Sequence, residues 1–200
     1  MIDKRKEFYE ILVNYFGKKQ ANQIDKNLNE LAFYDLPCST RYHLSVPHGL
    51  VEHSINVYKK CMELRQVICP HIPEIQVAIV SLFHDLNKCL AGYMTNILKS
   101  GEQSQAQPYV KDTRITGDGT LSCYLITARL KIDLSFGMYN AIANHNIFEP
   151  DYVRNHNIIV KDPNDYLLLL CLQTSDLYCS QVLEHIPKEK EKTYKDYLME

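Results

Sequence analysis

The sequence has no apolar run long enough to cross a membrane. Its longest uninterrupted apolar stretch, residues 166–172, has seven residues, far fewer than the roughly 20 that span a bilayer as a helix. The charged residues at positions 1–7 are not followed by the apolar segment of a secretory signal. We therefore expect a soluble, cytoplasmic protein without a membrane partner.

Paired cysteines and a strong net charge are also missing. Seven cysteines are scattered along the chain with no Cys-x-x-Cys pair, so their spacing predicts neither a thiolate zinc motif nor a disulfide framework. Without a secretory signal, we expect reduced thiols that pack as small hydrophobic side chains. The formal charge of −2 gives no general attraction to nucleic acid, which argues against a nucleic-acid partner.

Strict alternation of apolar and polar residues is almost absent, whereas apolar residues recur at helical spacing. This pattern predicts an all-α fold, with Gly17 ending the first helix and an irregular loop or mobile lid over residues 99–120. The predicted helices cover residues 4–16, 19–33, 50–66, 74–91, 121–130, 135–146 and 164–186.

One composition holds throughout the chain, so we expect a single domain over residues 1–200. Its core is expected at about residues 33–186, with the helices within residues 1–32 packed on it. Residues 187–200 are rich in lysine and glutamate and are expected to be a solvated tail.

His84 and Asp85 stand side by side in an otherwise apolar segment, residues 77–88. Burying an imidazole and a carboxylate in such surroundings is unfavourable unless something compensates them, and a divalent cation does so. The segment is apolar nearly all round, which is typical of a helix in the centre of a bundle. Adjacent helical residues differ in direction by about 100°, yet both can reach an ion beside their shared edge.

His53 and Asp176 complete a candidate ligand set, because helical bundles build metal sites from side chains on facing helices. With His84 and Asp85 they offer two imidazole nitrogens and two carboxylates. This mixed set suits Mn²⁺, Fe²⁺, Co²⁺, Ni²⁺, Zn²⁺ or, less well, Mg²⁺. Lys88 is three residues after Asp85 and on the same helix face, where its ammonium can meet a phosphate oxygen or simply lie in solvent.

These residues resemble the His…His-Asp…Asp signature of the HD superfamily of metal-dependent phosphohydrolases. Residues 84–88, His-Asp-Leu-Asn-Lys, are similar to its extended His-Asp-x-x-Lys form, and the likeness covers about residues 33–180. Residues 37–43 and 48–54 are similar to a Pro-Ala-Ser…His…Gly-Gly-Leu-x-x-His-Ser element of a branch common in phage and bacterial genomes. The resemblance implies an HD-type helical bundle with one or two divalent ions that cleaves phosphomonoesters or phosphodiesters, often in nucleotides.

The resemblance adds two candidate positions. His145, in Asn-His-Asn, matches a later histidine that often supplies a second metal; otherwise it is a helix-end histidine. Where related sequences tend to have Gly-His-Gly-Glu, residues 117–120 are Gly-Asp-Gly-Thr. Asp118 therefore either replaces a histidine ligand or is only a turn residue. His43 matches the family loop and is expected to face solvent or to line the pocket.

The predicted function is hydrolysis of a phosphate ester, with a nucleotide as the expected small-molecule substrate, by a water that the metal activates. The alternative is a catalytically degenerate module that keeps one ion as a structural staple and binds a nucleotide or a protein. The candidate catalytic residues are Asp85, Lys88 and His145, and the candidate metal ligands are His53, His84, Asp85, Asp176, His145 and Asp118.

Overall fold

The computed structural model describes residues 4–112, 118–146 and 163–185, except for the side chain of Asp118. In these segments the chain is mostly helical, which confirms the predicted all-α fold class. The predicted tail, residues 187–200, lies outside the described residues. The six α-helices of this described part are α1 (Lys4–Glu30), α2 (Gly49–Ile68), α3 (Glu74–Phe83), α4 (Asp118–Ala128), α5 (Phe136–Asn144) and α6 (Pro163–Tyr178).

Helix α1 folds back on itself at Gly17. This residue has φ 71° and ψ 160°, a conformation that glycine adopts easily because it has no Cβ. Arg5 and Asp25 are 20 residues apart, yet Arg5 Nη2 lies 2.8 Å from Asp25 Oδ2; a straight helix would separate them by about 30 Å. The two halves of α1 therefore lie side by side, and the predicted stop at Gly17 is confirmed.

Apolar side chains of the described helices meet in one core. Phe8 of α1 packs its ring against Phe33 and Phe83, with centroids 5.3 and 6.1 Å away. Helix α3 is buried from Val77 to Phe83 and packs against α2, α5 and α6. This central position agrees with its nearly uniform apolar sequence, and it carries the residues that follow Phe83 into the interior.

The predicted helix over residues 74–91 is wrong in its second half. Helix α3 ends at Phe83, Asp85 has φ −99° and ψ 18°, and Leu86–Leu90 form a short 3₁₀ helix. A continuous α-helix would turn the side chains of His84 and Asp85 apart by about 100°. With the helix broken, His84 Nε2 lies 3.3 Å from Asp85 Oδ2. Both side chains therefore reach one point, at the end of the helix rather than within it.

The polar segment at residues 99–120 is less irregular than predicted. It contains the second strand of a small antiparallel hairpin, in which β2 (Tyr109–Val110) pairs with β1 (Met94–Thr95). Its last residues belong to α4. Two-residue strands are too short to show a periodic pattern in the sequence. Residues 113–117 lie outside the described part. No described helix combines the length with the apolar character that a membrane crossing needs.

Candidate metal centre

His53 lies in the second turn of α2, and the loop that precedes this helix packs closely against its first residue. His48 precedes the helix with φ 65°. Gly49 lies so close to the backbone oxygen of Leu44 that a Cβ at position 49 would overlap it. His53 is completely buried, so packing sets the direction of its ring.

The turn after α3 presents His84, Asp85 and Lys88 to the same region. His84 and Asp85 are buried. Lys88 Nζ lies 2.5 Å from Asp85 Oδ2, because side chains three residues apart are aligned along a 3₁₀ helix. The expected pairing of Asp85 with Lys88 is therefore present, although on a 3₁₀ helix rather than an α-helix.

Asp176 and His145 reach this region from α6 and from the residue after α5. Asp176 Oδ1 lies 3.1 Å from His53 Nε2, and His145 Nε2 lies 3.6 Å from Asp85 Oδ1. Helix α5 packs against both α4 and α6, which holds these two side chains near each other. The structure thus brings six of the predicted site residues together: His53, His84, Asp85, Lys88, His145 and Asp176.

The donor atoms are spaced like the corners of a metal coordination shell. His53 Nε2 lies 3.1 Å from Asp176 Oδ1 and 3.6 Å from Asp85 Oδ2, and His84 Nε2 lies 3.3 Å from the same Asp85 oxygen. Ligand bonds of about 2.0–2.1 Å separate neighbouring ligands by about 3.0 Å in an octahedron and about 3.4 Å in a tetrahedron. The donor atoms form two groups whose members all lie within 4.8 Å of one another: His53, His84 and Asp176, and His84, Asp85 and His145. Each group can hold a divalent ion, and the two groups share His84.

Three imidazole nitrogens at this point have no hydrogen-bond partner among the described residues. They are the buried Nε2 atoms of His53, His84 and His145, although buried polar atoms are nearly always bonded. The hydrogen-bond network assigns a proton to Nδ1 of each ring and leaves the Nε2 lone pair for a metal, an arrangement typical of metal-ligating histidines. The oxygens that accept from the three Nδ1 atoms, at 2.6–2.9 Å, are Glu184 Oε2, Ser81 O and Ile142 O.

Asp85 is the electrostatic centre of the cluster. Burial by itself raises the pKa of Asp85, but the Lys88 ammonium and the His84 imidazole outweigh burial and hold the pKa of that carboxyl well below its usual range. Burial likewise raises the pKa of Asp176, and the neighbouring His53 more than offsets it, so that pKa is also lowered. Both carboxyls are therefore ionised at neutral pH, as metal ligands must be.

The pKa values of two imidazoles, those of His53 and His145, are shifted in the opposite direction, upward. Burial lowers the pKa of His53, but its neighbours Cys38, Asp176 and Glu184 outweigh burial and raise that pKa well above its usual value. The pKa of His145 is also raised, because the carboxylate of Asp85 outweighs burial. A divalent ion must displace these protons in order to bind. Metal affinity is therefore expected to increase with pH.

Glu184 is a site residue that sequence reasoning missed. It follows the π-helical turn Cys179–Leu183 after α6, and only 2% of its side chain is exposed. Its Oε2 accepts from His53 Nδ1 and its Oε1 from Asn56 Nδ2, each at 2.8 Å. Burial raises the pKa of Glu184, but these donors outweigh it and lower the pKa. In the sequence it resembles a solvated residue, because it stands beside the Lys/Glu-rich tail.

Cys38 also lies at this site, which corrects the expectation that the cysteines only fill space. Its Sγ lies 3.2 Å from His43 Nε2 and 3.4 Å from Lys88 Nζ. Burial raises the pKa of the thiol, but His53 and Lys88 outweigh burial and lower that pKa to about 6. His43 accordingly lines the site. All seven cysteines are unpaired, as expected.

The role of Asp118 stays a prediction, because its side chain lies outside the described residues. The backbone places Asp118 at the start of α4. Its neighbour Gly119 packs so closely on α5 that a Cβ would overlap the backbone oxygen of Ile142. The start of α4 therefore lies against the end of α5, just before His145.

Comparisons of the chain with protein-family models, with curated proteins and with solved structures found no match.

Proposed function

We propose that the protein is a metal-dependent phosphohydrolase or phosphodiesterase that acts on a phosphate ester, with nucleotides as the expected substrate class. The observation that carries the proposal is the convergence of three buried imidazole nitrogens, none of them hydrogen-bonded among the described residues, on the carboxylates of Asp85 and Asp176. The similarity of residues 84–88 to the His-Asp-x-x-Lys form of the HD signature supports the same reaction class.

Asp85 would contact both ions if two are bound. Its Oδ2 faces His53 and His84, whereas its Oδ1 faces His145. In this proposal His53, His84, Asp85 and Asp176 hold a primary ion, and Asp85 with His145 contributes to a second. A bound divalent ion supplies positive charge to phosphoryl oxygens and makes a bound water more acidic.

Lys88 supplies the remaining positive charge. Burial lowers the pKa of Lys88, but the carboxylate of Asp85 outweighs it and raises the pKa well above its usual value, so the ammonium is charged at neutral pH. Its side chain is 20% exposed and that of Asp176 is 14% exposed, more than the other residues of the centre. Substrate would therefore approach from this side, where Lys88 offsets the charge of the transferring phosphoryl group.

His145 would orient the substrate or a second ion. Its Nδ1 donates to Ile142 O at 2.6 Å, which fixes the ring and keeps Nε2 directed at Asp85 Oδ1.

The test is release of phosphate or nucleoside from a nucleotide panel with added Mn²⁺, Ni²⁺ or Co²⁺. Asp85→Asn keeps the shape of the side chain but removes the charge that faces three imidazoles, and it should abolish turnover. The matched control is Asp35→Asn, because Asp35 is 75% exposed and the change in charge is the same; this variant should be fully active. Turnover that survives unchanged in Asp85→Asn would refute the proposal.

The binding-module alternative gives a different result in the same experiment. A metal-loaded wild-type protein that hydrolyses none of the phosphate esters, but still binds a nucleotide, would favour a module with a structural ion.

A further inference from the structure

A third group of donor atoms lies beside the proposed hydrolytic centre. Cys38, His43 and His53 offer a sulfur and two imidazole nitrogens that all lie within 4.8 Å of one another. Cys38 and His53 are completely buried, and the rings of His43 and His53 have centroids 5.0 Å apart. Neither Cys38 nor His43 has a role in the proposed hydrolysis.

The loop at residues 38–44 holds two of these donors in place. Cys38 N donates to Leu44 O at 3.0 Å, and Ser39 Oγ donates to His43 O at 2.8 Å. The Cys38 Sγ and His43 Nε2 atoms are 3.2 Å apart. A tetrahedral zinc site with Zn–S of about 2.3 Å and Zn–N of about 2.0–2.1 Å separates sulfur from nitrogen by about 3.5 Å. The pair is therefore spaced almost as two ligands of one ion.

His53 supplies the third donor through Nε2, because its Nδ1 donates to Glu184. This Nε2 is buried and has no hydrogen-bond partner in the part of the chain that the structure describes. The same atom faces Asp176 and Asp85 in the hydrolytic centre. Its single lone pair can bind one ion only, so an ion held by Cys38 and His43 removes His53 from that centre.

We propose that Cys38, His43 and His53 form a binding position for a thiophilic divalent ion such as Zn²⁺ or Cd²⁺, which competes with the hydrolytic centre for His53. The thiol of Cys38 releases its proton to solvent when the sulfur binds the ion. A thiolate with two imidazoles selects soft ions, whereas the carboxylate-containing centre accepts Mn²⁺ and Mg²⁺.

Lys88 increases the preference of this position for thiophilic ions over Mn²⁺ and Mg²⁺. Its ammonium lies 3.4 Å from Cys38 Sγ and repels any cation that binds there. A strong metal–thiolate bond offsets this repulsion, and the weak bond that Mn²⁺ or Mg²⁺ forms with sulfur does not. Excess Zn²⁺ should therefore inhibit the enzyme; this consequence rests on the proposed function, whereas the binding itself does not.

Titration with Cd²⁺, followed by the ultraviolet thiolate-to-Cd²⁺ charge-transfer band, tests the position directly. The wild-type protein should gain the band, and Cys38→Ser should lose it. His43→Ala should raise the Cd²⁺ concentration at half-saturation by at least about tenfold, since loss of even an outer-sphere partner has that effect. The matched control is Cys89→Ser, which removes a half-buried cysteine outside the group and should titrate like the wild type.

Competition for His53 is tested by repeating the titration in Mn²⁺. Increasing Mn²⁺ should raise the Cd²⁺ concentration at half-saturation in proportion. A wild-type protein without the band, or a Cys38→Ser variant with an unchanged band, overturns the binding position; a band insensitive to Mn²⁺ overturns the competition. Because absorbance is measured rather than turnover, failure of the hydrolysis assay leaves these outcomes intact.

Discussion

Glu184→Gln replaces one oxygen beside His53 and is expected to weaken metal binding by about ten- to a hundredfold, the range typical of outer-sphere partners of ligating histidines. This corresponds to about 1.4–2.7 kcal/mol of binding free energy. The residue does not itself belong to the group of donor atoms, so the effect must pass through the His53 ring.

The magnitude follows from two hydrogen bonds. Both Glu184 oxygens accept at 2.8 Å, one from His53 Nδ1 and the other from Asn56 Nδ2. A glutamine amide has only one accepting oxygen, so its NH₂ group must face one of these donors. If it faces His53, the ring moves its proton to Nε2 and blocks the metal. If it faces Asn56, a buried donor loses its partner, which costs about 1–3 kcal/mol.

The assay is competition for Mn²⁺ or Zn²⁺ against a chromogenic chelator at constant pH. Glu63→Gln is the matched control, because Glu63 lies on α2, is 66% exposed and pairs only with Lys60 among the described residues. Both variants lose one negative charge. Equal metal affinity in Glu184→Gln and Glu63→Gln would refute the reasoning, whereas a selective loss in Glu184→Gln supports it.

Four further outcomes are expected. His84→Ala should abolish retention of Mn²⁺ on dialysis; elemental analysis showing stoichiometric Mn²⁺ contradicts its assignment as a ligand. In the metal-free protein the raised pKa values of His53 and His145 contribute stability below the unfolded-state value of about 6.5, and this is lost as pH rises through the raised folded-state values. A divalent ion needs both rings unprotonated, so the metal-induced rise in melting temperature should grow as the pH rises above about 6.5; thermal melts with Mn²⁺ or chelator would show a constant shift if this is wrong. Phe8→Ala should lower the free energy of unfolding by about 3–5 kcal/mol in denaturant titrations while the folded protein keeps its metal affinity. Gly119→Ala should force α4 away from α5, costing about 1–3 kcal/mol, and should weaken metal binding through His145; unchanged affinity would show that the start of α4 does not position the site.

Much of the helical pattern is local and was predictable. The predicted bounds of α2 and α5 lie within two residues of those observed, because apolar residues recur every three or four positions along both. The break at Asp85 was not predictable in this way. Residues 74–91 contain no glycine or proline that would mark the end of a helix, and the ion pair between Lys88 and Asp85 is visible only in the folded chain.

The sequence by itself determined the fold class and most residues of the candidate centre, since charged and imidazole side chains in apolar helices are conspicuous wherever they stand. The tertiary structure decided what surrounds them. Glu184 accepts a hydrogen bond from His53 across 131 residues of chain, and Cys38 contacts Lys88 across 50. Such contacts cannot be read from the periodicity of a sequence, because packing between distant segments brings their atoms together, whereas periodicity reports only the spacing along one helix.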